Sequence, residues 1–322
     1  MLSSLVRPVA SPLARPRADV VVKLGSAGGW TRRELLRRGA LAGAVALGGP
    51  ALLAACSSTS SGGTLDAAKK AGTIKVGIAN EAPYGFTGPD GHTATGESVE
   101  VGRAVLKALG INAIDAQVVD FNGLIPGLNA RQFDMVTAGM FINKARCGAA
   151  AFSDPDYTAP TAFLVPKGNP KGVLSFDDVR TKNLKLAVLS GAVEQGYAQK
   201  SGVPDGQVQA FDTQNSLLQA VSTGRVDAGA LTNISLNDVV SKNPSASVEV
   251  TKGFFPVIDG QETLSAGAFV FRKGDDAFVS AFNAELKKLH DSGEWLKIAG
   301  PFGFNQDNVP KSDVTTQRLC SA

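Results

Sequence analysis

Side chains suited to covalent or metal chemistry are few in this chain. Among 322 residues there are two histidines, His92 and His290, and three cysteines, Cys56, Cys147 and Cys320. No Cys-x-x-Cys, His-Glu-x-x-His or other metal-ligand spacing occurs. Neither a zinc site nor a histidine-based nucleophile is therefore expected, and no cofactor is implied. The chain does carry recognition chemistry. Arg146 offers a planar donor fork matched to a carboxylate. Tyr84, Phe121 and Phe141 offer faces for a delocalised cation, each worth roughly 0.5–2 kcal/mol. Glu81 is an acceptor for the N–H groups of such a cation. Plainer readings stay open: a phenylalanine behind a strand commonly plugs a core, and Arg146 has Asp154 and Asp156 nearby in sequence for a surface ion pair.

These five residues share a position relative to the elements that would hold them. Thr73-Ile74-Lys75-Val76-Gly77-Ile78-Ala79 reads as a buried strand running into the loop Asn80–Phe86, which carries Glu81 and Tyr84. Phe121 follows a strand over Ala116–Val119, and Phe141 and Arg146 follow one over Met135–Ala138. Val101, Val105 and Leu109 recur at helical spacing, with Ser98 as the expected N-cap and Gly110 as the stop. Strands and helices alternate onward, which predicts α/β layers on mainly parallel sheets.

The first 55 residues are of another kind. Thr31-Arg32-Arg33-Glu34-Leu35-Leu36 has the form of a twin-arginine export signal. The Ala- and Gly-rich run from Gly39 to Ala55 is too short and too weakly apolar to span a bilayer and reads as a signal h-region. It closes on Leu53-Ala54-Ala55-Cys56, the form of a lipoprotein cleavage site. Lipidation of Cys56 would supply two acyl chains, enough for anchoring to the outer face of the cytoplasmic membrane without a spanning segment. Residues 1–55 are thus expected to be a removed signal and 56–64 a flexible, small and polar tether. The signal carries eight of the 32 basic residues and two of the 29 acidic ones, so the remaining 267 residues hold 24 against 27, a net charge of −3. The formal +3 of the whole chain belongs to the signal, and no nucleic-acid partner follows from it. With Cys56 lipidated, Cys147 and Cys320 remain in an oxidising compartment, either as a disulfide or as two buried thiols.

Internal echoes suggest two lobes. Leu184–Leu189 resembles the opening strand and leads into Ser190-Gly191-Ala192-Val193-Glu194 and an apolar helix. Phe133–Ala138 is answered by Val226–Leu231. Ala162-Phe163-Leu164-Val165-Pro166-Lys167-Gly168-Asn169 and Ala268-Phe269-Val270-Phe271-Arg272-Lys273-Gly274-Asp275 are near-copies about a hundred residues apart. They read either as two crossover strands forming a hinge or as two unrelated edge strands. The hinge reading makes lobe one discontinuous, 65–163 plus 268–322, with lobe two over 164–267.

Gly139-Met140-Phe141-Ile142-Asn143-Lys144-Ala145-Arg146 and Phe152-Ser153-Asp154-Pro155-Asp156-Tyr157 resemble the arginine segment and the FSxPY-like segment of the solute-binding proteins of ABC importers, polar-amino-acid class. The resemblance extends to Gly293-Glu294-Trp295 and Gly300-Pro301-Phe302-Gly303. Within the class, Gly77–Phe86, Leu124–Leu128 and Gly191–Tyr197 are most similar to the ectoine/hydroxyectoine-binding proteins. This resemblance implies a two-lobed periplasmic-binding-protein-like α/β fold of type II, with ligand in the interlobe cleft beyond the strand ends. It implies a non-catalytic protein that delivers a small zwitterion to a membrane permease. Arg146, aided by the amides of Gly191, Ala192, Val193 and Glu194 at a helix start, would take the carboxylate. Glu81, Tyr84, Phe121 and Phe141 would take the ring cation. Glu194 has a second reading as support for its own helix N-terminus. Amino-acid binders of the class place an Asp where this chain has Thr232; a neutral Thr232, with Asn233, suits a ligand that lacks a primary ammonium. Trp295 reads as core.

Two other functions are weighed against this. Cyclic-acid dehydratases resembling the class need a cleft acid or base, and Glu81 is the one obvious candidate, with no histidine in the motif regions. A surface sensor would be fused to a membrane-spanning signalling region, and no segment of these residues reads as one.

Overall fold

A computed structural model of the chain describes residues 63–258 and 260–321. The expected signal over 1–55, Cys56 and the expected tether up to residue 62 lie outside the described residues. Thr64, expected in the tether, opens helix α1 (Thr64–Ala71), which ends at Gly72 in the left-handed region.

The opening strand β1 (Thr73–Ile78) alternates exposed Thr73 and Lys75 with buried Ile74, then buries Val76, Gly77 and Ile78 in succession. Such a run suits a strand covered on both faces. Around it stands a sheet ordered β2 (Ala113–Val118), β1, β3 (Met135–Phe141), β11 (Ala266–Phe271) and β4 (Ala151–Phe152), with β5 (Tyr157–Thr158) also on β11. β1 pairs parallel with β2 and β3, whereas β11 runs antiparallel to β3.

The second sheet repeats this plan. Its order is β8 (Val208–Phe211), β7 (Leu186–Leu189), β9 (Ala228–Thr232), β6 (Thr161–Pro166) and β10 (Val248–Val250). β7 pairs parallel with β8 and β9, and β6 runs antiparallel to β9. The near-copies at 162–169 and 268–275 are thus the equivalent antiparallel strands of two sheets, each contributing to its own lobe. The expectation of mainly parallel sheets holds for three strands in each and fails at this fourth one.

The expected lobe limits at 163/164 and 267/268 cut through β6 and β11. The chain changes sheet earlier, between Thr158 and Thr161, and returns between Val250 and Ala266. The two passages lie side by side, with Ala159 N–H donating to Ser265 O at 3.4 Å and Thr161 bridged to Phe254.

Helices α2 (Glu97–Ala108), α9 (Asp276–Ser292) and α10 (Glu294–Ala299) bury an aromatic-rich core on the first sheet, including Phe269, Phe271, Phe278, Phe282 and Trp295. Trp295 is core as expected, and its indole N–H donates to Asp156 at 2.8 Å. The N-cap of α2 is Gly96, with φ of 119°, because a Cβ there would lie 2.4 Å from Tyr84 O. Ser98, expected to cap, sits in the first turn and donates to Glu97 Oε2. Cys147 of α4 (Lys144–Ala149) is disulfide-bonded to Cys320 of α11 (Thr316–Ser321), 173 residues on, which ties the C-terminal helix to the first lobe. Among the described residues no helix is long and apolar enough to cross a membrane.

Candidate functional site

The loop after β1 is folded by its own backbone. Glu81 and Gly85 exchange hydrogen bonds at 3.1 Å, and Tyr84 N–H donates to Glu81 O at 3.0 Å. The first amides of α2, which have no partner within their helix, hold the loop from below: Glu97 N–H donates to Pro83 O at 2.8 Å and Ser98 N–H to Tyr84 O at 3.0 Å. This fixes Glu81 and Tyr84 at the carboxyl end of β1. The Tyr84 ring lies against β3 at Gly139, where a Cβ would come within 2.4 Å of it and where φ is +61°. Tyr157 stacks on Tyr84 at 5.3 Å and donates its hydroxyl to Gly139 O at 2.8 Å.

Arg146 enters from the first turns of α4, capped by Asn143, whose side chain accepts from Arg146 N–H. Its guanidinium donates through Nη1 to Phe141 O at 2.6 Å and through Nη2 to Gly191 O at 2.8 Å, one carbonyl from each lobe. Its carbon stands 5.4 Å from the centre of the Phe121 ring. The surface pairing of Arg146 with Asp154 or Asp156 is not found.

From the second lobe come Leu189 at the end of β7, Ala192–Glu194 at the start of α6 (Val193–Lys200), and Leu231 and Thr232 at the end of β9. Thr232 Oγ1 caps α8 (Asn233–Lys242) by accepting from Ser235 N–H at 3.3 Å, and lies 2.7 Å from Tyr84 Oη across the cleft. Glu194 is buried at the start of α6, 3.4 Å from Thr161 Oγ1.

Nine of the eleven residues expected at a ligand line one interlobe cavity of about 30 Å³: Glu81, Tyr84, Phe121, Phe141, Arg146, Ala192, Val193, Glu194 and Thr232. Gly191 joins them through its carbonyl. Asn233 does not. It opens α8 facing a separate cavity of about 850 Å³, and its backbone N–H donates to Pro160 O at 3.0 Å. The sequence reading missed Gly139, Leu189 and Leu231, which are small or apolar and carry no chemical signal. It also missed Ser235 and Gln214, whose relevance depends on a partner in the other lobe. Ser235 Oγ lies 2.9 Å from Glu81 Oε1 and 2.7 Å from Gln214 Oε1.

Burial dominates the electrostatics. It pushes the Glu81 carboxyl up to about 7, against the Ser235 hydrogen bond, which lowers it, with Glu194 raising it further and Arg146 opposing. The Glu194 carboxyl is raised by the same burial. Burial brings Arg146 down to about 10, so it stays cationic at neutral pH. The cavity therefore sets one fixed cation against two carboxyls. Among the described residues no cluster of His, Cys, Asp and Glu is suited to hold a metal ion.

Comparison with known proteins agrees with this fold. Residues 74–305 match the model of the bacterial extracellular solute-binding proteins, family 3. The chain is 36% identical over 262 residues to a probable amino-acid ABC transporter periplasmic-binding protein, y4tE, of Sinorhizobium fredii (strain NBRC 101917 / NGR234), covering 80% of this chain and 86% of the relative. It is 29% identical to the arginine-binding extracellular protein ArtP of Bacillus subtilis (strain 168), covering 76% and 90%. Among solved structures it resembles EhuB in complex with hydroxyectoine, with a TM-score of 0.72, 35% identity, and coverage of 80% of this chain and 98% of that one. It also resembles an ancestral amino acid-binding protein described as a precursor of cyclohexadienyl dehydratase, with a TM-score of 0.65 and 28% identity over 74% of this chain and 99% of that one.

Proposed function

We propose that this chain, which belongs to the bacterial extracellular solute-binding proteins of family 3, captures ectoine or hydroxyectoine for an ABC importer. The family makes it an exported solute-binding protein of the kind that serves an ABC importer. The ectoine reading is our own, and one observation carries it. A single cavity joins a guanidinium, three aromatic rings and a carboxyl from the first lobe to a neutral threonine in the second. Arg146 takes the ligand carboxylate. Tyr84, Phe121 and Phe141 face the cyclic amidinium, and Glu81 accepts its N–H groups. Thr232 already spends its hydroxyl on α8 and Tyr84, so nothing at that position calls for a primary ammonium. The likeness to a hydroxyectoine complex supports the same ligand class.

Calorimetric titration of the protein with ectoine, hydroxyectoine, glycine betaine, proline, glutamine and arginine tests this. Tightest binding of ectoine or hydroxyectoine is expected. Binding of arginine or glutamine with no heat from ectoine would replace the ligand and leave the class standing. Arginine has its own support: two carboxyls against one guanidinium suit a ligand with surplus positive charge.

We further propose that Cys56 is lipidated and that the membrane is reached by this anchor, with residues 1–55 removed. Labelling with a fatty-acid probe should mark the parent protein and spare Cys56→Ser; equal labelling of both would exclude it.

A further inference from the structure

Ser235 is fully buried and its one hydroxyl proton faces three oxygens: Gln214 Oε1 at 2.7 Å, Glu81 Oε1 at 2.9 Å and Ala82 O at 3.5 Å. A hydroxyl donates once. If that proton goes to the nearer Gln214 oxygen, the contact with Glu81 is a hydrogen bond only when Glu81 itself donates. The acid and the pair that receives it come from opposite lobes: Glu81 from the loop after β1, Gln214 from the start of α7 (Gln214–Ser222) and Ser235 from α8.

The surroundings point the same way. Arg146 and Glu194 are the charged groups that face Glu81, from α4 and α6, and they offset each other. The phenols of Tyr84 and Tyr157 are kept neutral by burial. A second carboxylate would therefore stand in this cavity without a compensating charge.

We propose that Glu81 carries a proton when the lobes are closed through Ser235 and Gln214, and releases it to solvent when a solute's cation takes its place. The exchange balances: a carboxylic acid and a bound cation give a carboxylate–cation pair and one free proton. Capture would then favour cationic centres over neutral isosteres and strengthen as pH rises. The proposal rests on the cleft being the solute site, but the proton on Glu81 is measurable without any solute.

With carboxyl-¹³C glutamate incorporated, NMR from pH 4 to 9 should show one resonance with a midpoint near 7 that is absent from Glu81→Gln. If the resonance lost in Glu81→Gln titrates near 4.5, Glu81 is ionised at neutral pH and the proposal fails. For the exchange itself, ectoine affinity should improve about tenfold from pH 6 to pH 8. At pH 7 the binding heat should differ between phosphate and Tris, reporting release of about half a proton. Binding whose heat and affinity ignore buffer and pH would refute the displacement. Should ectoine give no heat, arginine serves as the cationic probe; the NMR midpoint then stands while the ectoine reading falls.

Discussion

In the proposed function, Arg146 is the residue on which capture of a carboxylate turns. It is the one fixed cation lining the cavity, and its donors already reach a carbonyl in each lobe. Replacing it with alanine would leave a ligand carboxylate desolvated and unpaired, a loss of about 2–5 kcal/mol or some thirtyfold and more in Kd. Titration of Arg146→Ala with ectoine checks this, and unchanged affinity would remove the carboxylate assignment. Thr232 sets the opposite preference. An aspartate there can still cap α8 and accept from Tyr84, so the fold should tolerate it. It would also place a third carboxyl beside Glu81 and Glu194. Thr232→Asp should weaken ectoine at least several-fold and improve the binding of arginine or glutamine; competition titrations with the three solutes would show the exchange or its absence.

At the scale of elements, the parts legible in the sequence are those that announce themselves locally. β1, β3 and their echoes β7 and β9 are short apolar runs closed by polar loops, and residues placed behind them fall at one cleft edge because parallel strands end on the same side. The N-cap of α2 was not legible, since Gly96 is required by the carbonyl of Tyr84, twelve residues earlier and brought there by the loop. Nor was the pairing of Glu97 with Asp156, which are buried together beneath that loop. Burial and the facing Asp156 hold the Glu97 carboxyl well above its usual range, so Glu97 keeps its proton beside Asp156, itself raised to about 6. A group whose folded-state pKa is raised stabilises the fold most below its unfolded value and loses that contribution as pH rises. Glu97→Gln removes the loss. Urea unfolding should show the variant gaining on the parent from pH 4.5 upward, by at most about 1.4 kcal/mol per pH unit. His290, lowered to about 4 by burial, contributes with the opposite sign in both proteins and cancels in the difference. A constant difference across pH would mean that Glu97 is ionised in the fold.

The disulfide belongs to the same scale. It closes a loop of 173 residues between α4, which carries Arg146, and α11. Chain-entropy reasoning assigns such a closure about 5 kcal/mol, with strain reducing it. The double variant Cys147→Ser/Cys320→Ser should therefore melt lower, with ectoine affinity changed less than stability. Melting at the parental temperature would show that the bond contributes nothing to the fold.

For the molecule as a whole, the question is how two lobes close on a solute. A cavity of about 30 Å³ is about a tenth of the smallest ligand pockets, roughly 300 Å³, so a ring enters only as the lobes part. The closed arrangement is held across the cleft by Tyr84 to Thr232, Glu81 to Ser235, Arg146 to Gly191 and Asn122 to Ser190. Two adjacent passages between the sheets, at 159–160 and 251–265, are where such a motion can turn. Gly191 shows how closely the lobes approach. Its φ is +77°, and a Cβ there would stand 2.9 Å from Asn122 Cβ and 3.1 Å from its Cα, both in the opposite lobe. Gly191→Ala therefore adds local backbone strain of about 1 kcal/mol and, separately, a wedge that only parting of the lobes relieves. The second lobe's core does not depend on this turn, so melting should change little. The radius of gyration by small-angle scattering should exceed the parent's with and without ectoine, and affinity should fall about tenfold for each 1.4 kcal/mol of closure lost. Normal compaction and normal affinity in Gly191→Ala would mean that the lobes do not close through this contact.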